Sequence, residues 1–394
     1  MSRYPGRALG GLIALTLAVG MAVVGVPRAV SAVPAAPEAP GAKAMILIEA
    51  STGQVLAERD ADQQMPIASV TKVMGLLLSM EALEKGNITL EETLACSPNA
   101  AGMGGSQALL EAGGEYQIGD LLKSMVIASA NDSCVAMAER LAGSEDAFVE
   151  LMNQRAQELG MTNTVFKNCT GLPVEGAHST ARDVALMSRA LMQYEDIYTK
   201  WSTIWLDEMI HPGGRVTSLT NTNKMIRSYD GADGVKTGST SEAGFCVSAT
   251  AKRGGMRLIA VVLGESDSKV RFAEAGEVLD WGFANYSVTQ AVKKGDVLVE
   301  NLPVLRGVQT QINAVAAEDV SLLHEKGTPE VEIQTDCPGQ ITAPVAEGQQ
   351  IGSARVLLNG EQVGSCLLVA AGPIEEAGIG HYLRRILTGW GRAA

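Results

Sequence analysis

The feature that most limits the fold is a separation between strand patterns. In "AMILIEASTGQVLAERDAD", two short apolar runs flank Ser51-Thr52-Gly53 and read as a hairpin. Strand patterns return only at "GFCVSATAKRGGMRLIAVVLGES", where two β-rich runs meet at Arg253-Gly254-Gly255. Between them helical periodicity dominates to about Tyr198, through "QIGDLLKSMVIASANDSCVAMAERLAG" and "SEDAFVELMNQRAQELG". The early hairpin and the late strands must therefore share one sheet, with the helical block packed against it. A further helix is expected from about Ser268 to Phe283. The expected class is α+β.

After Asn285 the character changes. "VKKGDVLVENLPVLRG" and "GQQIGSARVLLNGEQVGSCLLVA" are short alternating strands with Gly and Asn turns, which reads as a small all-β module over 286–372. In the last segment, 373–394, Ile379, Tyr382, Leu383, Ile386, Leu387 and Trp390 share one helical face. His381, Arg384, Arg385 and Thr388 occupy the other. Too short and too charged to span a bilayer, this segment suits an amphipathic helix lying on a membrane surface. At the other end, Arg3 and Arg7 precede an apolar stretch from Ala8 to Val26, and small residues from Val30 to Ala32 fit a signal-peptidase site. Residues 1–32 read as a secretory signal, and an uncleaved apolar run of this length would span a bilayer. Either way the remainder is exported. Residues 33–43, "VPAAPEAPGAK", read as a linker, which leaves 44–285 for the larger domain.

Charge and composition exclude some functions. A net charge of −13 leaves no basic stripe to neutralise phosphates, so nucleic acid is not an expected partner. Six cysteines without a C-x-x-C do not make a disulfide scaffold, and Cys134 and Cys246 fall in apolar patterns as buried thiols. A Cys337–Cys366 bridge stays open. Four histidines, none paired at ligand spacing, give no zinc site, and no cofactor or metal is expected.

The chemistry begins at "PIASVTKVMGLLL". A helix from about Ser69 to Lys85 places Ser69 and Lys72 at i and i+3, on one face and within reach of each other. None of His178, His211, His324 and His381 sits in a setting that would make it the base of a serine triad. A lysine can serve instead if its charge is suppressed. Moving it from about 10.4 to about 7 takes roughly 4.6 kcal/mol, which burial and a second cation can supply. The expected partners are present. Ser129-Ala130-Asn131 interrupts two apolar runs, and Lys236-Thr237-Gly238 leads into the late strands. Ser129 can pass a proton, Asn131 can orient an amide, Lys236 is the second cation, and Gly238 lets a substrate backbone lie alongside the strand.

The order S-x-x-K, S-x-N, K-T-G resembles that of penicillin-binding proteins and class A β-lactamases. "VKTGSTSEAGFCVSATAKRGGMRLIAVVLGE", "NCTGLPVEGAHSTARDVALMSRALM", the β module and the amphipathic tail are similar to the low-molecular-weight penicillin-binding proteins. These are exported D-alanyl-D-alanine carboxypeptidases of peptidoglycan, and the sporulation-associated branch looks nearest. The resemblance implies an antiparallel sheet flanked by helices, an all-α cluster, and a site between them that β-lactams acylate. It implies Ser69 as the acylated nucleophile and Lys72 as its base, with Ser129 and Asn131 on the opposite wall. Lys236 and Thr237 would bind the terminal carboxylate, with Arg271 nearby. The N–H groups of Ser69 and Ser239 would form the oxyanion hole. Some relatives have histidine after K-T-G, where this chain has Ser239.

Three other readings compete. Class A β-lactamases need a loop glutamate in E-x-x-L-N, whereas Glu150 to Asn153 lies in a helical pattern with Phe148, Leu151 and Met152 as packing residues. Endopeptidase cleavage of peptidoglycan cross-links uses the same chemistry. A membrane-anchored wall-binding scaffold would not require Ser69.

Overall fold

The computed structural model describes residues 34–327 and 329–390, so the signal reading of 1–32 lies outside the described residues. What draws the early hairpin to the late strands is "MRLIAVVLGE", Met256–Glu265, in which every residue is buried. A strand covered on both faces belongs at the centre of a sheet. The five strands lie in the order Val55–Arg59, Ala44–Glu49, Met256–Glu265, Gly244–Arg253, Ala232–Thr240, with every neighbouring pair antiparallel. This order leaves Ala232–Thr240 at an edge, with one side available for pairing.

Helices cover both faces. On one, Ala275, Val278, Leu279 and Phe283 of the Val270–Asn285 helix pack on Leu47, Leu258, Ala260 and Val262. Gly282 permits this approach, since a Cβ there would meet Leu258 Cδ1 at 2.6 Å and Leu47 Cδ2 at 2.8 Å. The opposite face, with Ile46, Ile48, Ile259 and Val261, packs on Val70, Val73, Met74 and Leu77 and on the Ala181–Leu191 helix. The all-α cluster is built from Ile118–Ile127, Asn131–Ala142 and Glu145–Glu158. Within the last of these, Phe148 and Met152 are buried as expected, but Leu151 is 40% exposed and lies outside the buried core.

An unforeseen hairpin pairs Leu206–Ile210 with Val216–Thr220 around the His211-Pro-Gly-Gly turn. Each strand buries one residue, Met209 or Leu219, too little for a clear alternating pattern. His211 pins the hairpin, its ring nitrogens 2.9 Å from Tyr116 Oη and 2.8 Å from Thr217 Oγ1. Burial pushes this imidazole below the usual histidine range.

From Asn285 the chain passes directly into strand Tyr286–Val292, which pairs with Val320–Glu325. A six-stranded sheet completes the β region, around two small cores centred on Val356 with Leu368 and on Leu302 with Ile374. All six cysteines are free thiols, Cys337 and Cys366 included. The helix Ile379–Trp390 follows, with Ile379, Tyr382 and Leu383 exposed. Among the described residues no helix is long and apolar enough to cross a membrane. The end of the 33–43 stretch is packed rather than free. Ala39 and Ala42 are buried, Arg59 donates to both their carbonyls, and Gly41 N donates to Glu274 Oε1 at 2.8 Å.

Phe148 lies against Gly75 of the Lys72–Glu84 helix, its ring 3.6 Å from where a Cβ on that glycine would stand. Phe148→Ala is expected to lower unfolding free energy by about 3–5 kcal/mol, and Leu151→Ala by about 0.5 kcal/mol or less. Urea denaturation of the two variants checks this. Equal losses would contradict the packing described.

Candidate active site

Ser69 does not begin a continuous α-helix. Ala68–Thr71 forms a 3₁₀ turn, and the α-helix runs from Lys72 to Glu84. Tight 3₁₀ turns are common at helix starts. Here the turn leaves Ser69 half-buried and sends Lys72 fully inside. Lys72 Nζ donates to Ser69 Oγ at 3.0 Å and to the Thr170 carbonyl at 2.7 Å. Burial pushes the Lys72 amine below its ordinary range, with Cys134, Cys169 and Asp132 pulling partly the other way. Sequence reasoning expected burial and a second cation to act on this lysine, and burial is what lowers it.

The Ser129-Ala130-Asn131 segment is a break between two helices. Ile118–Ile127 ends, Ser129 adopts a left-handed backbone with φ +63°, and Asn131 opens the next helix. A non-glycine residue there is strained, and the break turns the Ser129 side chain away from both helices' hydrogen-bonding ladders. Its Oγ is buried and has no partner among the described residues, and neither has Asn131 Oδ1. Asn131 Nδ2 is held by the Gly104 carbonyl at 2.7 Å, which orients the amide. Buried polar atoms are nearly always bonded, so these two oxygens stand out.

The third segment is the edge strand. Lys236 and Thr237 are buried, and Gly238 and Ser239 follow along the strand, with Ser239 exposed. Lys236 Nζ donates to the Thr237 carbonyl at 3.0 Å, and Thr237 Oγ1 to Thr222 Oγ1 at 2.8 Å. The Lys236 amine is pushed well down, first by burial and then by the charges of Lys72 and Arg271. Gly238 is demanded by contact. A Cβ there would meet Ile67 O at 2.7 Å, Ser69 N at 2.8 Å and Val70 N at 2.9 Å. The strand thus lies directly against the nucleophile turn. Arg271 is buried, not solvated; its Nη1 donates to the Gly238 and Cys246 carbonyls at 3.0 and 3.1 Å. Burial lowers its pKa to about 10. It bears on the site through the strand backbone, whereas Lys236 and Thr237 belong to the strand itself.

Three supporting residues escaped sequence reasoning. Thr170 supplies the carbonyl that holds Lys72. Gly171, at φ +77°, sits so close that a Cβ would fall 2.0 Å from Ala68 O. The signal for it was the glycine in "NCTGL", legible only once the loop is known to cross the nucleophile turn. Asp132 accepts from the N–H groups of Ala108 and Leu110, both at 3.0 Å, and so fixes the segment that carries Gly104. Beside Ser69 lies a cavity of about 370 Å³, lined by Ile67, Thr71, Asn168, Gly171, Thr240 and Glu242 among others. A serine hydroxyl bonded to a desolvated amine and lying against an edge strand is equipped for acyl transfer to and from serine.

Comparisons with known proteins identify the family. Residues 31–267 match the family described as D-alanyl-D-alanine carboxypeptidase, and residues 286–376 match the C-terminal domain of penicillin-binding protein 5. The chain is 41% identical over 351 residues to the D-alanyl-D-alanine carboxypeptidase DacF of Bacillus subtilis, covering 89% of this chain and 90% of that protein. The crystal structure of penicillin-binding protein 5 from Haemophilus influenzae superposes with a TM-score of 0.71 at 28% identity, over 85% of this chain and 98% of that one. Penicillin-binding protein D2 of Listeria monocytogenes, solved in an ampicillin-bound form, superposes with a TM-score of 0.52 at 32% identity, over 62% of this chain and 98% of that one. With both of its regions matched in order and its relatives aligned over most of their length, this chain belongs to the D-alanyl-D-alanine carboxypeptidase family.

Proposed function

We propose that this chain removes the terminal D-alanine from peptidoglycan stem peptides through an acyl-enzyme on Ser69, with Lys72 as the base. The observation that carries the assignment of roles is the buried Lys72 amine, its pKa depressed, 3.0 Å from Ser69 Oγ. The neutral amine takes the Ser69 proton as Oγ attacks the carbonyl carbon between the two D-alanines. Negative charge on the carbonyl oxygen meets the Ser69 and Ser239 N–H groups. Collapse breaks the C–N bond, and the departing D-alanine amine takes the proton from Lys72 by way of Ser129. Water then hydrolyses the ester and restores Ser69. The substrate lies as an added strand along Lys236–Thr240, its amide facing Asn131. Its carboxylate meets Lys236 and Thr237, with Arg271 adding positive field from behind the strand. The β-lactamase reading lacks its deacylating loop, because Glu150 stays on the surface of the Glu145–Glu158 helix.

The substrate places the enzyme outside the cytoplasm. Residues 1–32 supply export, 44–285 the catalytic domain, 286–372 a β domain, and 373–394 the terminal amphipathic segment. The exposed Ile379, Tyr382 and Leu383 support docking of the terminal helix on the membrane surface.

Benzylpenicillin is expected to leave a persistent adduct on Ser69 by intact-mass spectrometry, and the enzyme to release D-alanine from a peptide ending in D-Ala-D-Ala. Ser69→Ala should lose both, with kcat/KM falling on the order of 10⁴-fold or more. An intact variant activity would sink the assignment, and release from cross-linked dimers alone would favour an endopeptidase.

The pH profile tests Lys72 itself. Only the neutral amine accepts the proton, so acylation is lost as pH falls through the Lys72 pKa. Burial places that limb below the ordinary lysine value of 10.5. Lys72→Arg, which holds its charge, should cost about 10²–10⁴-fold in acylation. A limb at the ordinary lysine value would refute the desolvated base.

Membrane attachment is read by sedimentation with anionic phospholipid vesicles. The full chain is expected to pellet and a chain ending at Gly378 to stay in solution; equal partitioning would argue against the helix.

A further inference from the structure

Two thiols stand behind Lys72 that the acyl-transfer chemistry does not use. Cys134 lies in the first turn of the Asn131–Ala142 helix, three residues after Asn131. Cys169 immediately precedes Thr170, whose carbonyl holds Lys72. Both are free and fully buried. Cys134 Sγ donates to the Cys169 carbonyl at 3.2 Å, and Cys169 Sγ donates to Glu145 Oε1 at 3.3 Å. Cys169 beside it pushes the Cys134 thiol down, and Cys134 together with burial pushes the Cys169 thiol up. Two thiols buried side by side, one bonded to the backbone carbonyl of the other's residue, are placed to pair.

We propose that Cys134 and Cys169 form a redox-modification site at which a peroxide closes a disulfide that slows acylation of Ser69. The switching half of this proposal rests on the acyl-transfer reading of Ser69; the disulfide itself does not. The Cys134 thiolate attacks one peroxide oxygen, so an S–O bond forms, the O–O bond breaks and hydroxide leaves. The Cys169 sulfur then attacks the Cys134 sulfenic acid. An S–S bond forms, the S–O bond breaks, and water leaves with the Cys169 proton. In sum two thiols lose two electrons and two protons, and hydrogen peroxide becomes two waters. A small uncharged oxidant suits sulfurs this deeply buried.

The link between disulfide and rate is geometric. Closing the sulfurs to about 2.05 Å gives up the bond from Cys134 to the Cys169 carbonyl and the bond from Cys169 to Glu145. It draws the 168–171 segment against the Asn131–Ala142 helix. Gly171 leaves no slack, because even a Cβ there would fall 2.0 Å from Ala68 O. The displacement passes to the Thr170 carbonyl and so to Lys72, where ångström-scale misplacement costs large factors in rate.

The test treats the reduced full chain with a few equivalents of hydrogen peroxide, maps cross-linked peptides by mass spectrometry, and measures acylation by benzylpenicillin. A Cys134–Cys169 cross-link, an acylation rate lowered at least about tenfold and recovery in dithiothreitol are expected. Cys169→Val should acylate like the unmodified chain and lose no rate to peroxide through a disulfide. A disulfide elsewhere, such as Cys337–Cys366, sulfinic acid at Cys134 without a cross-link, or a cross-link that leaves the rate unchanged would each overturn the proposal. If the reduced chain is not acylated at all, the acyl-transfer reading falls, and with it the switch, while the peptide map still decides whether the thiols pair.

Discussion

Everything in the catalytic region is arranged around one costly act, the burial of the Lys72 amine. An ammonium withdrawn from water without a carboxylate beside it is unstable, and the chain answers by letting the charge go. Its two contacts are a hydroxyl and a peptide carbonyl, Ser69 and Thr170. Neither compensates a full positive charge, and both suit an amine that exchanges a proton with its neighbour. The same desolvation that makes the lysine expensive lowers its hold on a proton.

That burial explains why so much of the fold converges on a short turn. The nucleophile helix is wedged between the sheet and the all-α cluster, with Val73 and Met74 fully buried beside Lys72. Gly238 brings the edge strand onto the turn from one side, and Gly171 brings the crossing loop onto it from another. Each close approach helps to keep the amine from water. Ser129 and Asn131 keep unbonded oxygens at a backbone break that a regular helix would not tolerate.

The second cation has a different place from the one its spacing implied. Lys236 and Lys72 repel, and the larger depression falls on Lys236, which is buried and also near Arg271. Burial leads that depression, and the two neighbouring charges add to it.

Much of this was legible in the chain itself. Apolar periodicity located the hairpin, the helical block and the strands around Arg253-Gly254-Gly255, because core-facing residues repeat with the period of their element. Residue chemistry and order picked out Ser69, Lys72, Ser129, Asn131 and Lys236, since few arrangements provide a nucleophile, a suppressible base and a relay. Three-dimensional packing decided the rest. The Leu206–Thr220 hairpin buries too little to leave a pattern, and Leu151 has apolar character but lies outside the buried core. Arg271 reads as a surface residue on its helix until the strand carbonyls of Gly238 and Cys246 are seen to surround it. Thr170, Gly171 and the Cys134–Cys169 contact depend on a loop crossing a turn nearly a hundred positions away in sequence. Local sequence determines which side chains have the chemistry and which face of an element is apolar. Only the tertiary structure determines which of them lose water together, and here the loss of water is what lowers the Lys72 amine's hold on a proton.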